Sequence, residues 1–271
     1  MGQANEEKRR KTEMNIRFVK NEAGANLQQL MEYAARLTGI GDDFWEGHIL
    51  NGVHYSILSN HTEIGYFTLC GNEKITSFYM LASCLKLGQT IFRQILNDFC
   101  VKTAFVATCD ELFLSLCMDN HKSIEMQAYF FEHSGVNVRP PEWGRELMRP
   151  AAMEDVKDIL DTEYVEENIR AGRYYVMREN GVFLGQGFFH PDNLTPTQAS
   201  IGMSVHPDHR CKGVGRSIIM HLMEISREKM FTPICGCWYY NHNSKRTLES
   251  AGFVSKTRLL NIHFTEDATH E

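Results

Sequence analysis

A chain of 271 residues, 43% of them hydrophobic and 23% charged, is long enough for two compact units and apolar enough to give each a core. Its formal net charge of −6 repels phosphate backbones, which excludes nucleic acid as an electrostatically driven partner and mildly favours a cationic one. No apolar run approaches the roughly 20 residues of a membrane helix, so no membrane partner is expected.

The first residues, MGQANEEKRRKTEM, are charged where a secretory signal is hydrophobic, and residues 1–13 read as a disordered, solvated tail. Met1-Gly2 opens like a myristoylation signal, but Glu6 stands where that signal needs Ser or Thr. Eight scattered cysteines show no C-x-x-C pair, and twelve histidines no H-E-x-x-H arrangement. A cytoplasmic protein without a metal is the expectation.

Residues 14–140 then offer a strand at 15–19, a helix at 25–37, strands within 54–69 and 74–81, a helix at 87–99, and strands at 104–109 and 128–131. Gly135, Pro140-Pro141 and Gly144 interrupt regular structure and place a boundary within residues 133–150. The same order repeats beyond it, in residues 145–271. A short strand at 146–150 precedes a helix at 151–164, with Glu154 and Asp155 in an acidic first turn. A hairpin over 173–189 turns at Glu179-Asn180-Gly181, and a strand at 197–205 runs into HPDHRCKGVG. Val214, Ile218, Leu222 and Ile225 share one face of the helix that follows. A strand at 233–240, a helix at 243–251 ended by Gly252 and a strand at 258–264 complete the half.

Arg17 thus matches Arg149, Gly65 matches Gly185 and Gly88 matches Gly215. The halves differ where the second has MSVHPDHRCKGVG, residues 203–215, and the first only MLASCLKLG, residues 80–88. The longer loop has the chemistry of an anion site. A strand turning into a helix leaves the first helical N–H groups unpaired at the positive end of the dipole. Gly213 and Gly215 permit close approach to that backbone, and Arg210, Lys212 and Arg216 add charged donors, with Ser217 as a hydroxyl in the first turn. Two linked phosphates suit this set better than one carboxylate.

Val205-His206-Pro207 followed by Arg210-x-x-Gly213-x-Gly215 resembles the pyrophosphate-binding motif of the GNAT superfamily of acyl-CoA N-acyltransferases. Asn241 and Ser244, with Gly252-Phe253 beyond, are similar to that family's N-x-x-[AS]…G-F element. The resemblance covers roughly residues 145–264 closely and the first half by element order alone. It implies an α/β (α+β) fold of two GNAT-like domains, each a mixed, mostly antiparallel twisted sheet flanked by helices. Residues 14–140 would be a degenerate copy that shapes the acceptor pocket, and residues 145–271 the catalytic one.

The anion would then be the diphosphate of acetyl-CoA, the co-substrate. The resemblance implies that Met203, Ser204 and Val205 pair with its pantetheine arm, that Arg210, Cys211, Lys212, Gly213, Val214, Gly215, Arg216 and Ser217 hold the diphosphate, and that Asn241 and Ser244 flank the arm. It also implies direct attack by a primary amine of a small molecule or peptide, without an acyl-enzyme.

Catalytic groups are less well marked. The position where many relatives carry a tyrosine acid is Leu248, which leaves Tyr240 or Tyr239 as stand-ins. The base candidates are Glu163, Glu166, Glu167 and His206, against the plainer readings of a solvated acidic face and a loop-structuring histidine. Cys211 reads as an ordinary loop residue, and Trp238, Tyr239 and Tyr240 as strand packing. Two other functions stay open: a non-catalytic acyl-CoA sensor or scaffold, and an aminoacyl-tRNA-dependent ligase, the latter disfavoured by the acidic charge.

Overall fold

A computed structural model describes residues 15–22, 24–160 and 164–265. The tail expected over residues 1–13, and Glu163, lie outside the described residues. The first half contains β1 (Ile16–Lys20), α1 (Leu27–Arg36), α2 (Asp43–Leu50), β2 (Val53–Ser59), β3 (Thr62–Cys70), β4 (Lys74–Met80), α3 (Gly88–Asp98), β5 (Thr103–Ala107), α4 (Glu111–Met118) and β6 (Ser123–His133). The second contains β7 (Met148–Pro150), α5 (Val165–Arg170), β8 (Tyr174–Glu179), β9 (Val182–Pro191), β10 (Gln198–Val205), α6 (Val214–Glu228), β11 (Thr232–Trp238), α7 (His242–Ser250) and β12 (Phe253–His263).

All of these strands join one sheet in the order β1-β2-β3-β4-β5-β12-β6-β11-β10-β9-β8-β7. Within it β4 with β5 and β10 with β11 run parallel, and the remaining pairs are antiparallel. The centre is an exchange of strands. β6 leaves the first half to pair with β11, and β12 leaves the second to pair with β5, while the two pair with each other. Because side chains alternate along a strand, β6 serves two cores at once. Tyr129 and Phe131 enter the second half's cluster with Ile218 and Leu222, whereas Ala128 and Phe130 pack under α1 and α2. Leu260 and Ile262 of β12 in turn enter the first half's cluster with Phe67 and Phe92.

The repeat expected from Gly65/Gly185 and Gly88/Gly215 has a spatial counterpart. Gly65 faces Met80 across β3 and β4, as Gly185 faces Val205 across β9 and β10. A Cβ on either would press into that partner strand's backbone. The hairpin turns match as well: Asn60-His61 and Asn180-Gly181 all have positive φ, the pair of left-handed residues that a two-residue hairpin demands. On α6, Val214, Ile218, Leu222 and Ile225 are buried as expected. Gly187 lets that helix settle, since a Cβ there would lie 2.6 Å from Leu222.

The expected helix at 151–164 is not formed as one helix. Met153–Asp155 make a single 3-10 turn, and α5 starts only at Val165, after Tyr164 in a left-handed conformation. Asp155 explains the break. Its buried carboxylate accepts from the Ala152 N–H at 2.8 Å, from Arg149 at 2.7 Å and from Arg178 at 3.0 Å, a side-chain alternative to continued helix. Burial opposes its charge, yet these partners hold the carboxyl down at about 2. Two helices absent from the sequence reading, α2 and α4, are eight residues each and apolar around most of their circumference, so no 3.6-residue stripe announces them. Their signal is the capping aspartate: Asp42 accepts from Trp45 N–H and Asp110 from Phe113 N–H.

Candidate active site

β10 and β11 pair only over Gln198–Thr232, Ala199–Pro233 and Ser200–Ile234, and then diverge. Beyond Ser200 and Ile234 the facing edges of both strands have no ladder partner in each other, though each stays paired on its far side with β9 or β6. The result is a wedge whose apex is Ser200 and Ile234. Met203, Ser204, Val205 and Cys237 lie on the parted stretches and are half-buried, with Met203, Val205 and Cys237 packed against the core under α6. An extended, amide-bearing ligand can add to such an edge as an extra strand.

At the mouth of the wedge, the chain from His206 to Gly213 turns into α6. Cys211 and Gly213 both have positive φ, 59° and 80°, and Gly213 is the N-cap. Left-handed residues interleaved in this way point successive N–H groups toward one side, a backbone nest for an anion. The first intrahelical bond is Ser217 N–H to Gly213 O at 3.0 Å, which leaves the amides of Val214, Gly215 and Arg216 ahead of it. Gly215 lies against the strand: a Cβ there would stand 3.1 Å from Val205 and 3.3 Å from Met203. It brings the helix start down onto the wedge. The side chains of Arg210, Cys211 and Lys212 are exposed, and those of Arg210 and Lys212 donate to Val205 O at 3.4 Å and Asp208 O at 2.8 Å.

Arg216 and Ser217 need correction as side-chain ligands. The Arg216 guanidinium is 4% exposed and donates to Ser250 O (3.0 Å), Pro140 O (2.9 Å), Glu142 (3.1 Å) and Arg139 O. It fastens the segment joining the halves to α6. Burial would raise the Glu142 carboxyl, but its own backbone amide and Arg216 keep it below the ordinary value. Ser217 Oγ donates to Gly213 O and accepts from Trp143 N–H, while Trp143 Nε1 donates to Lys212 O at 2.9 Å. The joining segment therefore braces the loop from outside.

Asn241 caps α7, accepting from the Ser244 N–H at 3.1 Å, and is exposed at the far side of the wedge. Leu248 is 3% exposed and belongs to the core, so no acid acts from that position. Tyr240 is exposed and stands edge-on to Trp238 and Tyr239. His206 accepts from the Asp208 N–H at 3.4 Å and packs against Phe183, the geometry of a loop-structuring residue. Glu166 pairs with Arg170 on the surface.

A second set of groups at the wedge comes from the first half. The Asp43 N–H donates to Ser200 Oγ at 3.0 Å, at the apex, and that hydroxyl donates to Asp192 at 3.1 Å. Asp42 Oδ2 lies directly over Gly236, two residues beyond Ile234, where a Cβ would have no room. Asp42, Asp192 and Glu46 are each nine-tenths or more buried. Glu46 is fully engaged by the backbone of Asn193 and Leu194 and the Asn193 amide. Burial, then the charges of Asp43 and Asp192, push the Asp42 carboxyl up to about 8. Burial, then Glu46, push Asp192 up to about 7.

In the first half, β4 and β5 also part after two pairs, Lys74–Thr103 and Ile75–Ala104. No left-handed basic loop follows there; Ala82–Leu87 form a 3-10 turn leading straight into α3. Across the end of β5, Tyr33 donates to Asp110, the residue that caps α4 as Asn241 caps α7. A cavity of about 290 Å³ bounded by Thr38, Phe130, Glu132, Lys256 and Thr257 lies over β6 and β12, outside the β10–β11 wedge. Among the described residues no group of His, Cys, Asp or Glu is placed to hold a metal ion, and no helix is long and apolar enough to cross a membrane.

A splayed parallel pair with a glycine-bearing anion loop at its mouth, present once and echoed once, defines a double acetyltransferase-type fold. Residues 24–134 match the model described as acetyltransferase (GNAT) domain, and residues 139–253 that of the acetyltransferase (GNAT) family. The chain belongs to the GNAT superfamily and carries two such units in tandem. Among solved structures it is similar to a GNAT-family acetyltransferase from Colwellia psychrerythraea, with 19% identity, a TM-score of 0.79, and coverage of 92% of this chain and 100% of that one. A GCN5-related N-acetyltransferase from Sphaerobacter thermophilus has 12% identity and a TM-score of 0.63 over 92% of this chain and 96% of that one. A tandem GNAT protein from the clavulanic acid biosynthesis pathway has 15% identity and a TM-score of 0.57 over 92% and 98%. At these identities the likeness is one of fold. No curated protein matches the chain significantly.

Proposed function

We propose that the second half, residues 145–271, transfers an acetyl group from acetyl-CoA to a primary amine of a small molecule or peptide, by direct attack of the amine. One conjunction carries this reading: the nest at Cys211 and Gly213 opens at the same end of β10 where the strand edge is freed from β11. A ligand with a diphosphate, an amide-bearing arm and a thioester uses both features together. The nest and the leading amides of α6 take the diphosphate, with the exposed Arg210 and Lys212 as charged donors beside it. Met203–Val205 pair with the arm, Asn241 approaches it from β11, and a free strand amide polarises the thioester carbonyl.

The test is release of free thiol from acetyl-CoA across a panel of amines. Thiol release that depends on an added amine supports transfer. Arg210→Ala with Lys212→Ala is expected to raise KM for acetyl-CoA by roughly 10- to 100-fold, since two exposed charge-assisted contacts contribute about 1 kcal/mol each. A second reading, a non-catalytic acyl-CoA sensor, is favoured by the buried Leu248 in the usual acid's place. Coenzyme binding without turnover of any amine would decide for it.

A further inference from the structure

The carboxylates at the wedge apex belong to neither the diphosphate loop nor any group expected from the second half. α2 is held there from both sides: Asp43 N–H on Ser200 Oγ, and Glu46 on the backbone of Asn193 and Leu194. Asp42 Oδ1 accepts the Trp45 N–H, whereas Oδ2 accepts no hydrogen bond from another described residue. That oxygen belongs to a side chain 5% exposed and lies over the face of Gly236, on the stretch of β11 that has already parted from β10. An arm entering from the loop and pairing with Val205 to Met203 points its end at the apex. Strand rise is about 3.3 Å per residue, so Met203 and Ser200 are roughly 10 Å apart, room for a thioester and an attacking nitrogen.

Resting on the acetyltransferase reading above, we propose that Asp42, a residue of the first half, takes the proton from the acceptor ammonium in the second half's reaction, and that Asp43 and Asp192 beside it select acceptors arriving as cations. The acceptor R–NH3+ gives one proton to Asp42 Oδ2, which passes it to solvent. The freed nitrogen lone pair forms the C–N bond. As the tetrahedral adduct collapses, the C–S bond breaks with its electron pair on sulfur, and the second nitrogen proton ends on that thiolate, giving the amide and the free thiol. The titratable groups around Asp42 are Asp43 and Glu46 on its own helix, His190 and Asp192 at the end of β9, and Cys235 and Cys237 on β11. Its raised pKa suits the task, because a general base works best when it titrates near the operating pH.

Asp42→Asn is the decisive variant in the full chain, because asparagine caps a helix as well as aspartate and leaves α2 in place. With an amine the wild type turns over, kcat/KM near neutral pH is expected to fall by about 100-fold or more. Acetyl-CoA affinity, measured separately by equilibrium titration on the same sample, should stay within about twofold. The acidic limb of the wild-type profile should vanish, and the deficit should narrow as the pH approaches that at which the amine is free in bulk water. Asp192→Asn is expected to shift the wild-type limb to lower pH, because a negative neighbour that retains the proton on Asp42 is gone. An Asp42→Asn protein with full activity and an unaltered profile overturns the proposal, and so does an unmoved limb in Asp192→Asn. A wild type that binds acetyl-CoA but turns over no amine also overturns it while leaving the coenzyme site intact. A wild type that binds no coenzyme overturns the acetyltransferase reading itself.

Discussion

Gly213→Val is expected to weaken acetyl-CoA binding by about 100-fold or more while leaving the chain folded. The position has φ 80°, where a residue with a Cβ is strained by about 1–2 kcal/mol and a β-branched one by more. A Cβ would also stand 2.7 Å from the Glu142 side chain, which is itself tied to Arg216. The loop therefore has to open, and its amides no longer converge. Two lost charge-assisted backbone contacts at about 1.5 kcal/mol each account for the two decades. Gly88→Ala is the control. Its Cβ would meet nothing closer than 3.7 Å and sits in a helix, where alanine is favoured, so binding should be unchanged and stability equal or slightly higher. Equilibrium titration of both variants checks the contrast.

Cutting the chain between the halves is expected to abolish folding of either piece alone. The second half expressed as residues 139–271 lacks β6, whose Tyr129 and Phe131 are 7% and 0% exposed within its core and whose backbone pairs with β11. The first half expressed as residues 1–138 loses Leu260 and Ile262 from its own. Each such side chain contributes about 1.5–3 kcal/mol on burial, and with the ladder between β6 and β11 this reaches the whole stability of an ordinary domain, about 5–15 kcal/mol. Neither fragment should show a cooperative melt, and co-expression should restore one complex containing both. A residues 139–271 fragment that melts cooperatively as a monomer would refute this.

What the sequence made legible was local. The strand, glycine-bearing loop and amphipathic α6 follow each other without interruption, so their residue types and spacing describe the diphosphate end of the wedge. Arg216 shows the limit of that reading. Its phase on α6, away from Val214 and Ile218, suggests a solvent-facing donor, yet the Arg139–Trp143 segment covers that side and takes its terminal N–H groups, while Nε donates to Ser250 O at the end of α7. Nothing local signals that cover. The strand exchange was hidden for a related reason: alternating residues in β6 and β12 specify two buried faces but not which half supplies the neighbours. Asp42 and Asp43 lay further still from view, since the Asp43–Ser200 contact joins residues 157 positions apart. The Asx cap of α2 was the one feature that could have located them.

On the acetyltransferase reading proposed above, the second half holds coenzyme, and the first half, where the parting of β4 and β5 is followed by a 3-10 turn in place of a basic left-handed loop, holds none. Calorimetric titration of the intact chain with acetyl-CoA measures this directly. A single site per chain is expected, weakened by about 100-fold or more in Gly213→Val; two equivalent sites, or undiminished binding in Gly213→Val, would contradict this reading.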